Sequence, residues 1–129
     1  MDHAKGHRIG LVVFAHGSSV PEANEAVRKV AAETARCCGV DLWSEAFLDP
    51  VRPDLGAAVD SLTRRGAKRI VVTPYFLTMG MHLQKDLPRI LGEVSDAHPG
   101  VEIVCSPPLD GDPSLVDILA KRVKQALST

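Results

Sequence analysis

The sequence predicts a three-layer α/β domain: a doubly wound, four-stranded parallel sheet with helices on both faces. Short apolar runs rich in branched residues alternate four times with longer stretches whose apolar residues recur at helical spacing. Gly, Pro and Asp punctuate the junctions. Size agrees, because 129 residues, 45% hydrophobic and 24% charged, suit a single compact core and leave no room for a second domain. The expected division is a loose segment over residues 1–8 and one domain over residues 9–129.

Ile9 to Ala15 is short, continuous and branched, as in a strand buried on both faces of a parallel sheet. Pro21, tolerated in a first helical turn, opens a helix with Ala23, Val27, Val30, Ala31 and Cys38 inward, ending at Gly39. Leu42 to Leu48 is the second strand, closed by Asp49-Pro50. Pro53 opens the second helix, whose inward face is Leu55, Ala58, Val59 and Leu62, and Gly66 stops it. Arg69 to Thr73 is the third strand, and Leu87, Ile90, Leu91 and Val94 mark a third helix running to Pro99-Gly100. Val101 to Cys105 is the fourth strand, where charged Glu102 suits a sheet edge. Asp112-Pro113 starts a last helix with Val116, Leu119, Ala120, Val123 and Leu127 inward.

Four strand-helix pairs in strict alternation require right-handed crossovers, and the order 2-1-3-4, flavodoxin-like, satisfies them. In that order the connections leave the first and third strands in opposite directions. Ligands of such sheets bind outside the carboxyl ends of the strands at this switch point.

Composition excludes several classes. Fifteen Lys and Arg against sixteen Asp and Glu give a formal charge of −1, without the basic excess that non-specific nucleic-acid binding uses. Three cysteines, with Cys37 and Cys38 adjacent, make no disulfide framework and no CxxC spacing, so they read as small buried thiols in a reducing compartment. The longest apolar run, Ile9 to Ala15, falls far short of the ~20 residues that span a bilayer. Lys5 and Arg8 before it imitate a secretory signal, but cleavage near Ala15 would delete the first strand. A cytoplasmic protein that meets neither membrane nor nucleic acid is expected.

Two loops converge on the switch point. Ala15-His16-Gly17-Ser18-Ser19 follows the first strand, and Pro74 to His82 follows the third. Neighbouring strands lie about 4.8 Å apart, so His16 and His82 are expected to face one another across room for one metal ion or reacting ligand. His3 and His7 fall in the leading segment and His98 at the opposite end of the sheet. Glu45 interrupts an apolar strand, where a carboxylate is costly unless paired or put to use; an exposed sheet edge would also accommodate it. Tyr75, Phe76, Leu77, Met79 and Met81 are too many apolar groups for one loop in water and call for a flat apolar ligand or a second subunit. Arg52, Lys85 and Arg89 are the cations expected on that edge, and Ser18 and Ser19 offer donors to an anion at the start of the first helix.

Rival chemistries fail at the same positions. Histidine phosphatases use an Arg-His-Gly triplet, whereas Ala15 precedes His16 here. Receiver-type phospho-acceptor domains need acidic residues after the first strand and an Asp ending the third, where His16 and Pro74 stand. Neither GxGxxG nor GxxxxGK[ST] occurs.

The stretches VVFAHGSSVPEAN, SEAFLDPVRPDL, RIVVTPYFLTMGMHLQKDLP and CSPPLDGDPSLVDIL resemble the short, single-domain sirohydrochlorin chelatases of the cobalt and iron type, class II relatives of ferrochelatase. The resemblance runs from Leu11 to Leu127. It implies that the family's two essential histidines fall on His16 and His82, as metal ligands and proton acceptors, with Glu45 as acidic partner. The long His-rich stretch of some members is missing, so metal storage is not implied. The implied activity is insertion of a divalent metal, Co²⁺ first and Fe²⁺ or Ni²⁺ as alternatives, into sirohydrochlorin or a close precursor on the way to cobalamin or sirohaem. No tightly bound cofactor is implied. The alternative is a non-catalytic tetrapyrrole or metal carrier using the same pocket. A domain of this length has a radius of gyration of ~14 Å and covers only one face of a macrocycle. Longer relatives carry two such domains, so a homodimer is expected.

Overall fold

The computed structural model describes residues 8–49 and 51–128; His3, His7 and Pro50 lie outside the described residues. The elements are β1 (Ile9–Ala15), α1 (Pro21–Cys38), β2 (Leu42–Phe47), α2 (Leu55–Arg64), β3 (Arg69–Pro74), α3 (Met81–Ala97), β4 (Glu102–Cys105) and α4 (Pro113–Leu127). The sheet is parallel throughout with the order β2-β1-β3-β4, as the alternation predicts.

Because parallel partners in register point to the same side, each sheet face can be read from the pairing. Val12 and Phe14 of β1, Leu42 and Ala46 of β2, and Ile70 and Val72 of β3 share one face and form the main core with α2 and α3. Leu55, Ala58, Val59 and Leu62 are buried there, as expected. The opposite face presents Leu11 and Val13 to Ala31 and Ala35 of α1.

The local chemistry shifts several boundaries. Helix α2 opens not at Pro53 but after Asp54, whose side chain accepts from the Ala57 N–H at 2.9 Å, while the Pro53 carbonyl accepts from the Phe47 N–H at 2.8 Å. The buried stripe of α1 runs through Asn24, Ala31 and Ala35; Ala23 and Cys38 are exposed, and Val27 and Val30 are only half-buried. Rotating the stripe by one residue lets Asn24 tie the preceding loop, and the small alanines bring the helix close to the sheet. All three cysteines are exposed, which corrects the expectation of buried thiols. Ala35 is the last buried residue of α1, and the final turn carrying Cys37 and Cys38 lies open up to Gly39, which closes the helix at φ 68°.

The largest departure is α4. Asp112 caps it and Pro113 starts it, as expected, yet none of its residues is buried. Val116, Leu119, Val123 and Leu127 are exposed instead of inward. Helical periodicity shows that one side is apolar; it does not supply a surface to cover that side, and within this chain α4 finds none.

Candidate functional site

His16 stands just beyond the carboxyl end of β1, where three backbone hydrogen bonds join the strand ends. Leu48 N–H donates to the Ala15 carbonyl at 2.8 Å, Asp49 N–H to the His16 carbonyl at 3.0 Å, and Tyr75 N–H to the Phe14 carbonyl at 2.7 Å. Gly17 follows at φ 91°, and a Cβ there would meet the Asp49 carbonyl oxygen at 2.8 Å, so the turn that presents His16 admits only glycine. Asn24 fixes the rest of the loop. It accepts from the Ser18 N–H at 2.9 Å and donates to the Ser18 carbonyl at 2.8 Å, while the Ser18 hydroxyl accepts from the Val20 N–H. The Ser18 backbone donor expected for an anion is therefore engaged within the loop. Ser19 is exposed.

The His16 imidazole lies edge-on to Phe76, with ring centroids 4.8 Å apart. Phe76 is buried and meets Phe14 edge-on at 5.9 Å, so an aromatic pair from β1 and the loop after β3 orients the histidine. His82 lies in the first turn of α3, one element later than the loop in which the sequence placed it, because Gly80 caps the helix. Its neighbour Leu83 packs in the core, which anchors that turn and leaves His82 exposed on the same sheet edge. Among the described residues, neither imidazole has a hydrogen-bonded or ion-paired partner.

The apolar loop divides. Phe76 and half-buried Met79 turn into the core. Leu77 and Met81 are 70% and 73% exposed and Tyr75 is exposed as well, so these three carry the apolar surface that this loop presents to water. Arg52 pairs with Asp54 at 2.8 Å, and Arg89 with Glu93 at 3.2 Å and Asp86 at 3.7 Å, all at the surface; Lys85 is exposed.

Glu45 takes a different position. Its register partner is Val13, so it projects on the α1 face below the strand end, only 14% exposed. Its carboxylate accepts from Arg28 Nε at 2.8 Å, and Arg28 also pairs with Glu25. The hydrogen bond to Glu45, then that to Glu25, raises the Arg28 pKa above its ordinary value. An open groove of about 370 Å³ runs over this cluster, lined by Pro21, Glu22, Asn24, Glu25, Arg28 and Val51, and neither histidine lines it. Arg28 and Asn24 escaped the sequence reading. The available signal was their position: residues 24, 28, 31 and 35 follow helical spacing, so a polar or charged group at 24 or 28 must satisfy something on the sheet side.

No group of three or more His, Cys, Asp and Glu among the described residues could hold a metal. The site therefore offers imidazoles on an open apolar edge, suited to a transient metal and a flat ligand, in contrast to a closed structural centre.

The fold defines an α/β domain of the chelatase type. The CbiX family model matches residues 10–126, and the chain belongs to this family. It is 31% identical to a protein named sirohydrochlorin cobaltochelatase from Methanosarcina barkeri, over 93% of this chain and 98% of that relative. It superposes on a CbiX protein of cobalamin (vitamin B12) biosynthesis from Marinobacter aquaeolei with a TM-score of 0.80 and 28% identity, covering 93% of this chain and 95% of that one. The sirohydrochlorin chelatase SirB from Bacillus subtilis subspecies spizizenii, solved in complex with cobalt, shares the fold with a TM-score of 0.80 at 21% identity. That match covers 92% of this chain but 50% of SirB.

Proposed function

We propose that the protein is a metal chelatase that inserts a divalent ion, Co²⁺, into sirohydrochlorin in an early step of cobalamin or sirohaem synthesis. The observation that carries this reading is the exposed imidazole of His16, aimed by Phe76 at the carboxyl edge of β1, with His82 on the first turn of the adjoining α3. Family membership over residues 10–126 supports the reaction class.

The reaction replaces two pyrrole N–H protons by one metal dication, so the site must strip water from the metal and accept protons. A neutral imidazole carries the lone pair for both tasks. His16 and His82 share ligation of the incoming metal and proton abstraction, the one free lone pair of each ring serving one task at a time. Glu45, held by Arg28, orients the groups on the α1 side or passes protons to the groove beside it. Tyr75, Leu77 and Met81 receive the macrocycle's apolar face, with Phe76 and Met79 filling the core side of the same loop. Ser19, Lys85, Arg52 and Arg89 meet its peripheral carboxylates, the last two by exchanging surface partners. Imidazole sites discriminate weakly among late divalent metals, so Fe²⁺ and Ni²⁺ are also inserted in vitro. No helix among the described residues is long and apolar enough to cross a membrane, and the reaction belongs in the cytoplasm. One domain leaves one face of the macrocycle open, and a second copy closes it.

The test is anaerobic insertion followed by macrocycle absorbance. Many equivalents of metallated product per chain are expected, with loss of at least about 100-fold in kcat/KM for both His16→Ala and His82→Ala. A single stoichiometric equivalent would identify a carrier. Full activity in both variants would overturn the assignment of the histidines.

A further inference from the structure

The N-terminal turns of α3 carry a row of polar groups. His82, Asp86, Arg89 and Glu93 recur at intervals of four, three and four, so they lie along one side of the helix. Within the row Arg89 reaches both acids. It donates to Glu93 at 3.2 Å and stands 3.7 Å from Asp86, too far for a hydrogen bond. Asp86 is thus the loosely held acid, 49% exposed and one turn from His82.

A neutral imidazole carries one lone pair and one N–H. When the lone pair takes a metal, the N–H ordinarily donates to a carboxylate or carbonyl, which fixes the ring. Among the described residues the His82 ring has no such acceptor. The residues that follow it on the helix supply one. Lys85 can only donate, and the Gln84 side chain is spent on the Met79 carbonyl at 2.9 Å. Asp86 remains. Helical side chains lean towards the N-terminus, so a carboxylate at position 86 leans back over the turn that holds His82, with the two Cβ atoms about 5–6 Å apart.

We propose that Asp86 is the positioning residue of His82 and is released to it by the substrate. The inference rests on the chelatase reading given above and deepens it. A tetrapyrrole carboxylate that engages the Arg89 guanidinium draws it away from Asp86. The Asp86 carboxylate then accepts the spare N–H of His82 and fixes the direction of the lone pair that takes the metal. Seating the macrocycle thereby completes the ligand, whereas a metal that arrives early meets a ring free to turn. The same linkage requires that removing Arg89 strengthen metal binding with no macrocycle present.

The test uses the full chain with Co²⁺ alone, titrated anaerobically and followed by visible absorbance. Arg89→Gln should tighten cobalt binding at least about threefold, and adding Asp86→Ala to that chain should abolish the gain. The gain should also vanish in a His82→Ala background. A gain that survives there would make Asp86 a ligand in its own right and overturn the proposal, as would Arg89→Gln binding no more tightly than the parent. In sirohydrochlorin insertion, Asp86→Ala should lower kcat by about 10-fold or more with the macrocycle KM within about twofold. Asp86→Asn, whose carbonyl still accepts but carries no charge, should fall between. A merely structural Asp86 would shift the melting temperature slightly and leave kcat unchanged, and that result would overturn the proposal. A parent that binds cobalt but inserts none would remove the chelatase reading, and the cobalt titrations would still decide whether Asp86 supports His82.

Discussion

The His16 imidazole and the Phe76 ring meet edge-to-face, 4.8 Å between centroids with their planes at 90°. Phe76 rests on Phe14 of β1, two residues before the histidine in the chain. The strand that leads into His16 thus also floors the ring that aims it, and the orientation is set by packing in the core. Such aromatic contacts contribute about 0.5–1.5 kcal/mol beyond the area they bury.

Phe76→Leu should therefore separate orientation from folding. Replacing the ring by a shorter apolar chain is expected to lower stability by about 1–2 kcal/mol. Since a small misplacement of a reacting group costs up to about 100-fold, metal insertion should fall by roughly 10-fold or more at temperatures where the variant is fully folded. Thermal melts and kcat/KM on the same preparation check this. Activity falling only in proportion to the folded fraction would mean that Phe76 does not position the histidine.

Gly17→Ala should be more damaging than its size suggests. The residue sits at φ 91°, where an L side chain costs roughly 1–2 kcal/mol, and its Cβ would press on the Asp49 carbonyl oxygen at 2.8 Å. Relief requires opening the hydrogen bond from Asp49 N–H to the His16 carbonyl. A loss of about 2–4 kcal/mol in denaturant unfolding is expected, with insertion activity greatly reduced even where the chain remains folded.

Asn24→Ala tests the loop clamp. Asn24 is the buried polar residue of α1 and holds both backbone groups of Ser18. Removing it leaves two partly buried polar groups to find water, at a cost of about 1–3 kcal/mol. Hydrogen exchange at the Ser18 amide should accelerate at least tenfold, whereas the β1 amides should hardly change.

The parts of this architecture legible in the sequence are those that periodicity encodes. Branched runs mark β1 and β3, and Leu55, Ala58, Val59 and Leu62 mark the buried face of α2, where they pack. His16 was legible because a strand ending in a His-Gly turn projects its side chain at the carboxyl edge. What escaped were relations that need three-dimensional neighbours. Arg28 reads as one more surface charge until β2 places Glu45 beneath it. Asp54 caps α2 in place of Pro53 because the Pro53 carbonyl is engaged with Phe47. For α4, periodicity identified the apolar stripe but not its exposure, since the missing partner surface leaves no trace in the helix itself.

The Arg28–Glu45 pair yields a prediction with a definite pH signature. The folded-state pKa of Arg28 lies above its ordinary value, chiefly through the hydrogen bond to Glu45. A cation whose pKa is raised by folding contributes its full stabilisation below its unfolded value and loses it only as pH rises through the folded one. The contribution of Arg28 is therefore constant from about pH 7 to about pH 10. Arg28→Ala should lower stability by about 1–2 kcal/mol, because it deprives a mostly buried carboxylate of its donor. The difference in Tm between the parent and the variant should stay flat across that window. Arg28→Lys should recover only part of it, since an ammonium cannot keep the guanidinium's fixed geometry between Glu25 and Glu45. Melts at four pH values decide the matter: a Tm gap that closes within the window would show that the stabilisation comes from another titrating group.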